Sequence, residues 1–171
     1  QTHVTDYLKT NREVDDELIK GMAIAGFNSI SVGVETFTDS IIGSPSINKM
    51  GFESKNAKEV LDTMIKYHIV PQVNVILGIP EYTPEDLLFT ADVALEYIIK
   101  GCDLSLSRQL LALPGAPIYE SGLYKVVYEY WTHPVTGEEI KIPDYFVPNN
   151  PVVAKAMDVF DDEAHQIKDV K

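Results

Sequence analysis

Between Asp15 and Ser107 three stretches of helical periodicity alternate with short apolar runs, and this alternation limits the fold more than any other feature. From Asp15 to Phe27, Val14, Leu18, Met22 and Ala25 recur at helical spacing, acids occupy the first turn, and Gly26 is a stop signal. From Ser54 to His68, Ala57, Val60, Leu61, Met64, Ile65 and His68 form a single stripe, which marks His68 as packed. The third helix opens on Thr83-Pro84-Glu85-Asp86, an N-cap, a proline at the first helical position and an acid three residues after the cap. Leu87, Ala91, Ala94, Leu95 and Ile98 are its expected buried face, and Gly101 ends it.

The runs between the helices are Asp6 to Lys9 (the weakest), Ser29 to Val34, Gln72 to Leu77 and Asp103 to Ser107. Strands that alternate with helices imply βαβ units and a parallel sheet. The segments leaving the strands are long and rich in polar groups, whereas those leaving the helices are short. Any ligand site is therefore expected at the carboxyl ends of the strands, in a barrel or in an open sheet. After Pro114 the pattern changes. Tyr124 to Trp131 alternates and is aromatic, 133–138 reads as a turn, and Glu139 to Ile142 returns as a hairpin. An amphipathic helix is expected from Pro151 to Lys168. Residues 1–121 read as the α/β part and 122–171 as an appended element.

A chain of 171 residues with 45% hydrophobic content is long enough to bury a substantial core. No apolar run approaches the ~20 residues of a membrane span, and no signal peptide opens the sequence. The expected setting is cytoplasmic. A net charge of −12 argues against a passive polyanion binder, and no basic patch for nucleic acid stands out. The acids Asp158, Asp161, Asp162 and Glu163 read as a solvated end. The single cysteine, Cys102, excludes a disulfide framework and a thiolate metal site, and it reads as a small buried hydrophobe. The four histidines are too dispersed to form a ligand set.

Strand parity sharpens the candidates. With a period of two, Ser31, Gly33 and Glu35 share one face and Val32 and Val34 the other. Gly33 leaves the backbone bare beside Glu35. Two readings fit Glu35: a ligand-facing carboxylate, or a cap or partner for a surface lysine. In 74–81, Asn74, Ile76 and Gly78 share a face that offers an amide, an apolar shelf and bare backbone in order. That sequence suits a nucleoside, with hydroxyls on the amide and a flat base over Ile76 and Gly78. The other reading of Asn74 is a buried amide satisfied by a neighbouring strand. At the exit of the fourth strand, Arg108 reads either as a clamp for a substrate carboxylate or as a structural ion pair. Gln109 stands beside it on the substrate side.

The order of these motifs resembles the later part of a radical S-adenosylmethionine (radical SAM) enzyme barrel. The resemblance runs from about Asp6 to Glu120. It rests on Asp15-Asp-Glu-Leu18 with Ala25-Gly26, Ser31-Val-Gly-Val-Glu-Thr36, Ile47-Asn-Lys-Met50, Ile76-Leu-Gly-Ile-Pro80, Pro84-Glu-Asp-Leu87 and Leu113-Pro-Gly-Ala-Pro-Ile-Tyr-Glu120. The group it is most similar to contains cobalamin-dependent methylases, methylthiotransferases and the oxygen-independent porphyrinogen oxidase. The resemblance implies a partial TIM-like (β/α) barrel of about four parallel strands with flanking helices, plus a C-terminal hairpin and helix. It also implies an S-adenosylmethionine site: Glu35 against the cofactor, Lys49 at its methionine carboxylate, Asn74 on the ribose hydroxyls, and Ile76 with Gly78 over adenine.

Two local departures are Glu81-Tyr82 after Pro80, where the family commonly has Gly-Glu-Thr, and Asn74 at the first glycine of the usual adenine motif. The larger one is the absence of the three-cysteine loop that holds the family's [4Fe-4S] cluster, since one cysteine cannot ligate four irons. The expectation is a fragment of a larger iron–sulfur oxidoreductase or methyl- or methylthiotransferase, inactive alone, with the N-terminal half of the barrel as its missing partner. Open sheet edges then predict edge-to-edge self-association or coverage by the 124–142 hairpin. The competing readings are an unrelated TIM-barrel enzyme acting on a metal–carboxylate substrate, and a non-catalytic α/β module that binds through Tyr124 to Trp131. No catalytic residue and no metal ligand is assigned.

Overall fold

In the computed structural model, which describes residues 2–158, four strands form one parallel sheet in the order β1-β2-β3-β4. They are β1 (Thr2–His3), β2 (Ser29–Glu35), β3 (Val70–Gly78) and β4 (Asp103–Gln109). The crossovers carry α1 (Asp16–Ile24), a short α2 (Asp39–Ile42), α3 (Ser54–Lys66) and α4 (Pro84–Ile99). This is the α/β part-barrel expected of strand–helix alternation. The first strand differs from expectation. Asp6 to Lys9 is not a strand: Val4–Tyr7 form a 3-10 turn with Tyr7 buried, and the pairing falls to the two residues Thr2 and His3. A tyrosine packed inward from a turn gives the same apolar signal as a strand.

By contact the chain divides into two compact units, Gln1–Leu77 with Glu85–Ser107, and Gly78–Pro84 with Arg108–Lys171. In the first unit the sheet buries Val32, Val34, Val73 and Val75 completely, together with Ile19 of α1 and Val60, Leu61 and Met64 of α3. Each such side chain contributes roughly 1.5–3 kcal/mol of transfer free energy. Asp15 caps α1 by accepting from the Leu18 N–H at 3.1 Å, and Gly26 at φ 95° ends it. Asp39 accepts from the Ser54 N–H at 2.6 Å, so the loop after β2 fixes the start of α3.

Helix α4 turns a different face inward from the one its sequence predicts. Thr90, Val93, Ala94 and Tyr97 are buried, while Leu95 and Ile98 are exposed. Apolar residues surround this helix, so periodicity alone does not select the buried side. Buried hydroxyls help select it. Thr90 Oγ1 lies 3.3 Å from both Thr36 Oγ1 and Thr38 Oγ1, and it accepts from the Phe37 N–H at 3.4 Å. Tyr97 then stacks on Phe37 with ring centres 5.9 Å apart. Lys100 links Asp62 of α3 with Glu96 of α4 at 3.0 and 2.9 Å. His68 also departs from expectation: it is exposed, at φ 60°, and closes α3 as a left-handed residue instead of extending its apolar stripe.

The second unit is built on the hairpin β5 (Val126–Thr132) and β6 (Glu139–Phe146), closed at its turn by the His133 N–H to the Glu138 carbonyl at 2.8 Å. Past Gln109 the chain pairs with β6, through Ala112 N–H to Asp144 O and Phe146 N–H to Leu110 O. A one-turn helix, α5 (Pro117–Glu120), precedes the hairpin. The 78–84 segment is held by Tyr124, whose hydroxyl donates to Glu81, and by the Asn149 N–H on the Pro80 carbonyl at 2.8 Å. A helix, α6, occupies 151–158 and buries Val153 and Met157. The rest of the expected helix to Lys168, and the acids Asp161 to Glu163, lie outside the described residues. Among the described residues no helix is long and apolar enough to cross a membrane.

The threonine cluster gives a stability test. Thr90→Val keeps the shape of the side chain and removes the hydroxyl shared by Thr36, Phe37 and Thr38. It should cost about 1–2 kcal/mol in urea unfolding, and an unchanged midpoint would show that the hydroxyl does not hold α4 to β2.

Candidate functional site

The strand faces diverge as their parity predicts. Along β3, Val73, Val75 and Leu77 are buried, whereas Asn74 and Ile76 are half-buried and Gln72 is exposed. The second set lies on the less covered face of the sheet. There Asn74 Nδ2 donates to Ser31 Oγ at 3.1 Å, across from β2. Asn74 also lines a cavity of about 340 Å³, together with Ser31, Gln72, Asp103, Leu104 and Ser105.

Alternation fails at the end of β2. Gly33 pairs with Asn74 and Glu35 with Val75, so β2 contains one extra residue there, a bulge. Glu35 takes φ 66°, a left-handed conformation that non-glycine residues seldom adopt. The expected shared face therefore ends at Gly33, and Glu35 meets a different partner. Its carboxylate accepts from Lys49 Nζ at 2.7 Å, and the same ammonium donates to the Gly33 carbonyl at 2.9 Å. Lys49 thus bridges the bulge. The two side chains are 20% and 15% exposed, so the pair is partly desolvated and removal of either partner strands a charge. The partner of Glu35 is thus a partly buried lysine, itself one of the predicted site residues.

His3, which the sequence did not single out, belongs to the same neighbourhood. It pairs in register with Gly33 at the carboxyl end of β1. Its ring packs edge-on against Phe52, and burial and the nearby Lys49 lower its pKa below the ordinary value of 6.5. Only knowledge of the Thr2–His3 strand would have revealed it.

The remaining predicted residues lie in the second unit. A Cβ on Gly78 would collide with the Arg108 carbonyl, so this glycine is required where β3 and β4 approach each other. Arg108 and Gln109 are half-buried at the exit of β4. Cys102 is buried, and burial raises its thiol pKa to about 11, so it is not a thiolate near neutral pH. Among the described residues no group of three or more His, Cys, Asp or Glu side chains is placed to hold a metal ion.

No protein-family profile matches the chain, and no curated protein sequence is significantly similar to it. Solved structures do match. The radical S-adenosylmethionine methyltransferase TsrM from Kitasatospora setae, with tryptophan substrate and the S-adenosylmethionine analogue aza-SAM bound, superimposes with a TM-score of 0.63 at 14% identity. That match covers 85% of this chain and 34% of TsrM. The same enzyme with cobalamin and a [4Fe-4S] cluster gives 0.62 at 15% identity, over 84% of this chain and 34% of TsrM. Coproporphyrinogen III oxidase HemN from Escherichia coli, a radical SAM enzyme, aligns at 23% identity over 56% of this chain and 21% of its own. Its TM-score of 0.46 is too low to indicate a shared fold. The chain thus shares its fold with part of TsrM, and it spans about a third of the TsrM length, 34%.

The strained backbone at Glu35 is testable apart from its charge. Glu35→Gly and Glu35→Ala both remove the carboxylate, but only glycine adopts φ 66° freely. The glycine variant should be the more stable by about 1 kcal/mol in chemical unfolding. Equal stability would mean that position 35 is not held in the left-handed conformation.

Proposed function

We propose that the chain is the S-adenosylmethionine-binding part of a radical SAM enzyme. The observation that carries this reading is the Lys49 bridge over the β2 bulge, in the same unit as Asn74, which lines a cavity, on a fold shared with a methyltransferase that binds an S-adenosylmethionine analogue. Lys49 supplies a cation for a carboxylate and Glu35 an anion for an ammonium, which together match the amino-acid end of the cofactor. Their mutual bond reopens when a zwitterion is exchanged into it. Asn74 Oδ1 accepts from a ribose hydroxyl, and Ile76, two residues along the same face, offers the apolar surface for adenine. Arg108 and Gln109 remain the proposed substrate-side residues.

When bound, S-adenosylmethionine supplies the adenosyl or methyl group for transfer. The residues of this chain bind and orient it. They do not fit an iron–sulfur cluster, since the chain's one cysteine cannot ligate four irons, and no step through a cluster is assigned to them. In this reading cluster ligands come from outside the 171 residues, with the open sheet edges as the surfaces available to a further part of the barrel.

Calorimetry with S-adenosylhomocysteine tests the reading. Asn74→Ala should weaken binding ~10-fold, the scale of one buried hydrogen-bond partner left unpaired. Asn74→Asp, which keeps the acceptor, should retain most of the affinity. Absence of binding by the wild-type protein, or an unchanged Asn74→Ala affinity, contradicts it.

A further inference from the structure

The parallel register aligns His3 of β1 with Gly33 of β2, and Gly33 with Asn74 of β3. Residues paired in this way share a face, so His3 and Asn74 flank Gly33 as two walls of one row, with strands ~4.8 Å apart. The Lys49 ammonium sits on the Gly33 carbonyl in the middle of that row. A third polar side chain therefore stands beside the Lys49–Glu35 pair, and nothing in the reading above uses it.

The hydrogen bonds of His3 determine what it can offer. Its Nδ1 accepts from the Thr5 N–H at 3.3 Å and lies 2.7 Å from Thr5 Oγ1. A backbone N–H can only donate, so Nδ1 is fixed as an acceptor and the proton of the neutral ring is on Nε2. The charged groups that act on the ring are Asp6 of the 3-10 turn, whose carboxylate accepts from the His3 N–H at 2.8 Å, Glu35 of β2, and Lys49. Burial and Lys49 outweigh the two acids and favour the neutral form. The result is an uncharged N–H donor of fixed tautomer next to a lysine ammonium. That combination suits an oxyanion with two acceptor oxygens, one for each donor.

We propose that His3 is a further binding residue of this site, and that its Nε2–H donates to the carboxylate of the amino-acid end of the ligand whose other oxygen is held by Lys49. The inference rests on the S-adenosylmethionine reading and adds to it the residue that discriminates ligands with an α-carboxylate from those without one.

The test compares S-adenosylhomocysteine with 5′-methylthioadenosine, which keeps the adenosyl group and lacks the amino-acid end. His3→Asn retains an acceptor for the Thr5 N–H but is too short to replace Nε2–H, so the local turn survives while the proposed contact is lost. By calorimetry this variant should bind S-adenosylhomocysteine ~10-fold more weakly, the scale of a hydrogen bond to a charged group, with methylthioadenosine affinity unchanged. His3→Gln, whose amide N–H reaches the Nε2 position, should recover most of the loss. If His3→Asn leaves S-adenosylhomocysteine binding intact, or weakens both ligands equally, the role assigned to His3 is wrong while the cofactor reading stands. A wild-type protein that binds neither ligand rejects both.

Discussion

A single ammonium group organises the candidate site. Lys49 reaches back from the loop before α3 to hold the Gly33 carbonyl and the Glu35 carboxylate together. It thereby stabilises a bulge whose last residue occupies a strained left-handed conformation. The bulge ends the regular pairing of β2 with β3 and sends the chain into the loop that caps α3 through Asp39. Strain of this kind persists where surrounding contacts over-determine it, and here they consist of two hydrogen bonds from one partly buried cation. The same two bonds keep a cation and an anion close together at the carboxyl ends of the strands, where α/β sheets bind ligands.

Much of this architecture is legible in the sequence, because it depends on local period. The half-open row of Gln72, Asn74 and Ile76 opposite buried Val73, Val75 and Leu77 follows from a strand period of two, and the acidic first turn of α1 and its stop at Gly26 from turn chemistry. What escaped depends on partners distant in the chain. The two-residue strand Thr2–His3 has no apolar pattern of its own and exists only as a neighbour of Val32 and Gly33. Glu35 leaves its expected face because of a bulge sustained by Lys49, fourteen positions later. The requirement for glycine at position 78 comes from the Arg108 carbonyl, which lies where a side chain would be. In α4 the sequence is apolar on every side, and buried threonine hydroxyls select the packed face.

The second unit shows how an appended hairpin can be integrated without extending the main sheet. β5 and β6 form their own two-stranded sheet, and β6 pairs beyond the end of β4, at Leu110 and Ala112. An isolated hairpin is marginal in water. This one is supported where Phe146 is buried beside the Tyr124 ring, 6.2 Å between centres, and Tyr124 in turn binds Glu81. Burial and that carboxylate raise the Tyr124 pKa to about 12, so its hydroxyl remains a donor across the physiological range. Glu81 thus has a structural role in this chain, as the partner of Tyr124 beside the hairpin.

The central claim is that an adenosyl ligand with an amino-acid tail lies across the carboxyl ends of β2 and β3. A crystal structure of the protein with S-adenosylhomocysteine tests it most directly. The account predicts the ligand carboxylate on Lys49, its ammonium on Glu35 and a ribose hydroxyl on Asn74, with the direct Lys49–Glu35 bond opened. A ligand bound elsewhere, or one seated there with the Lys49–Glu35 bond still closed, would contradict it.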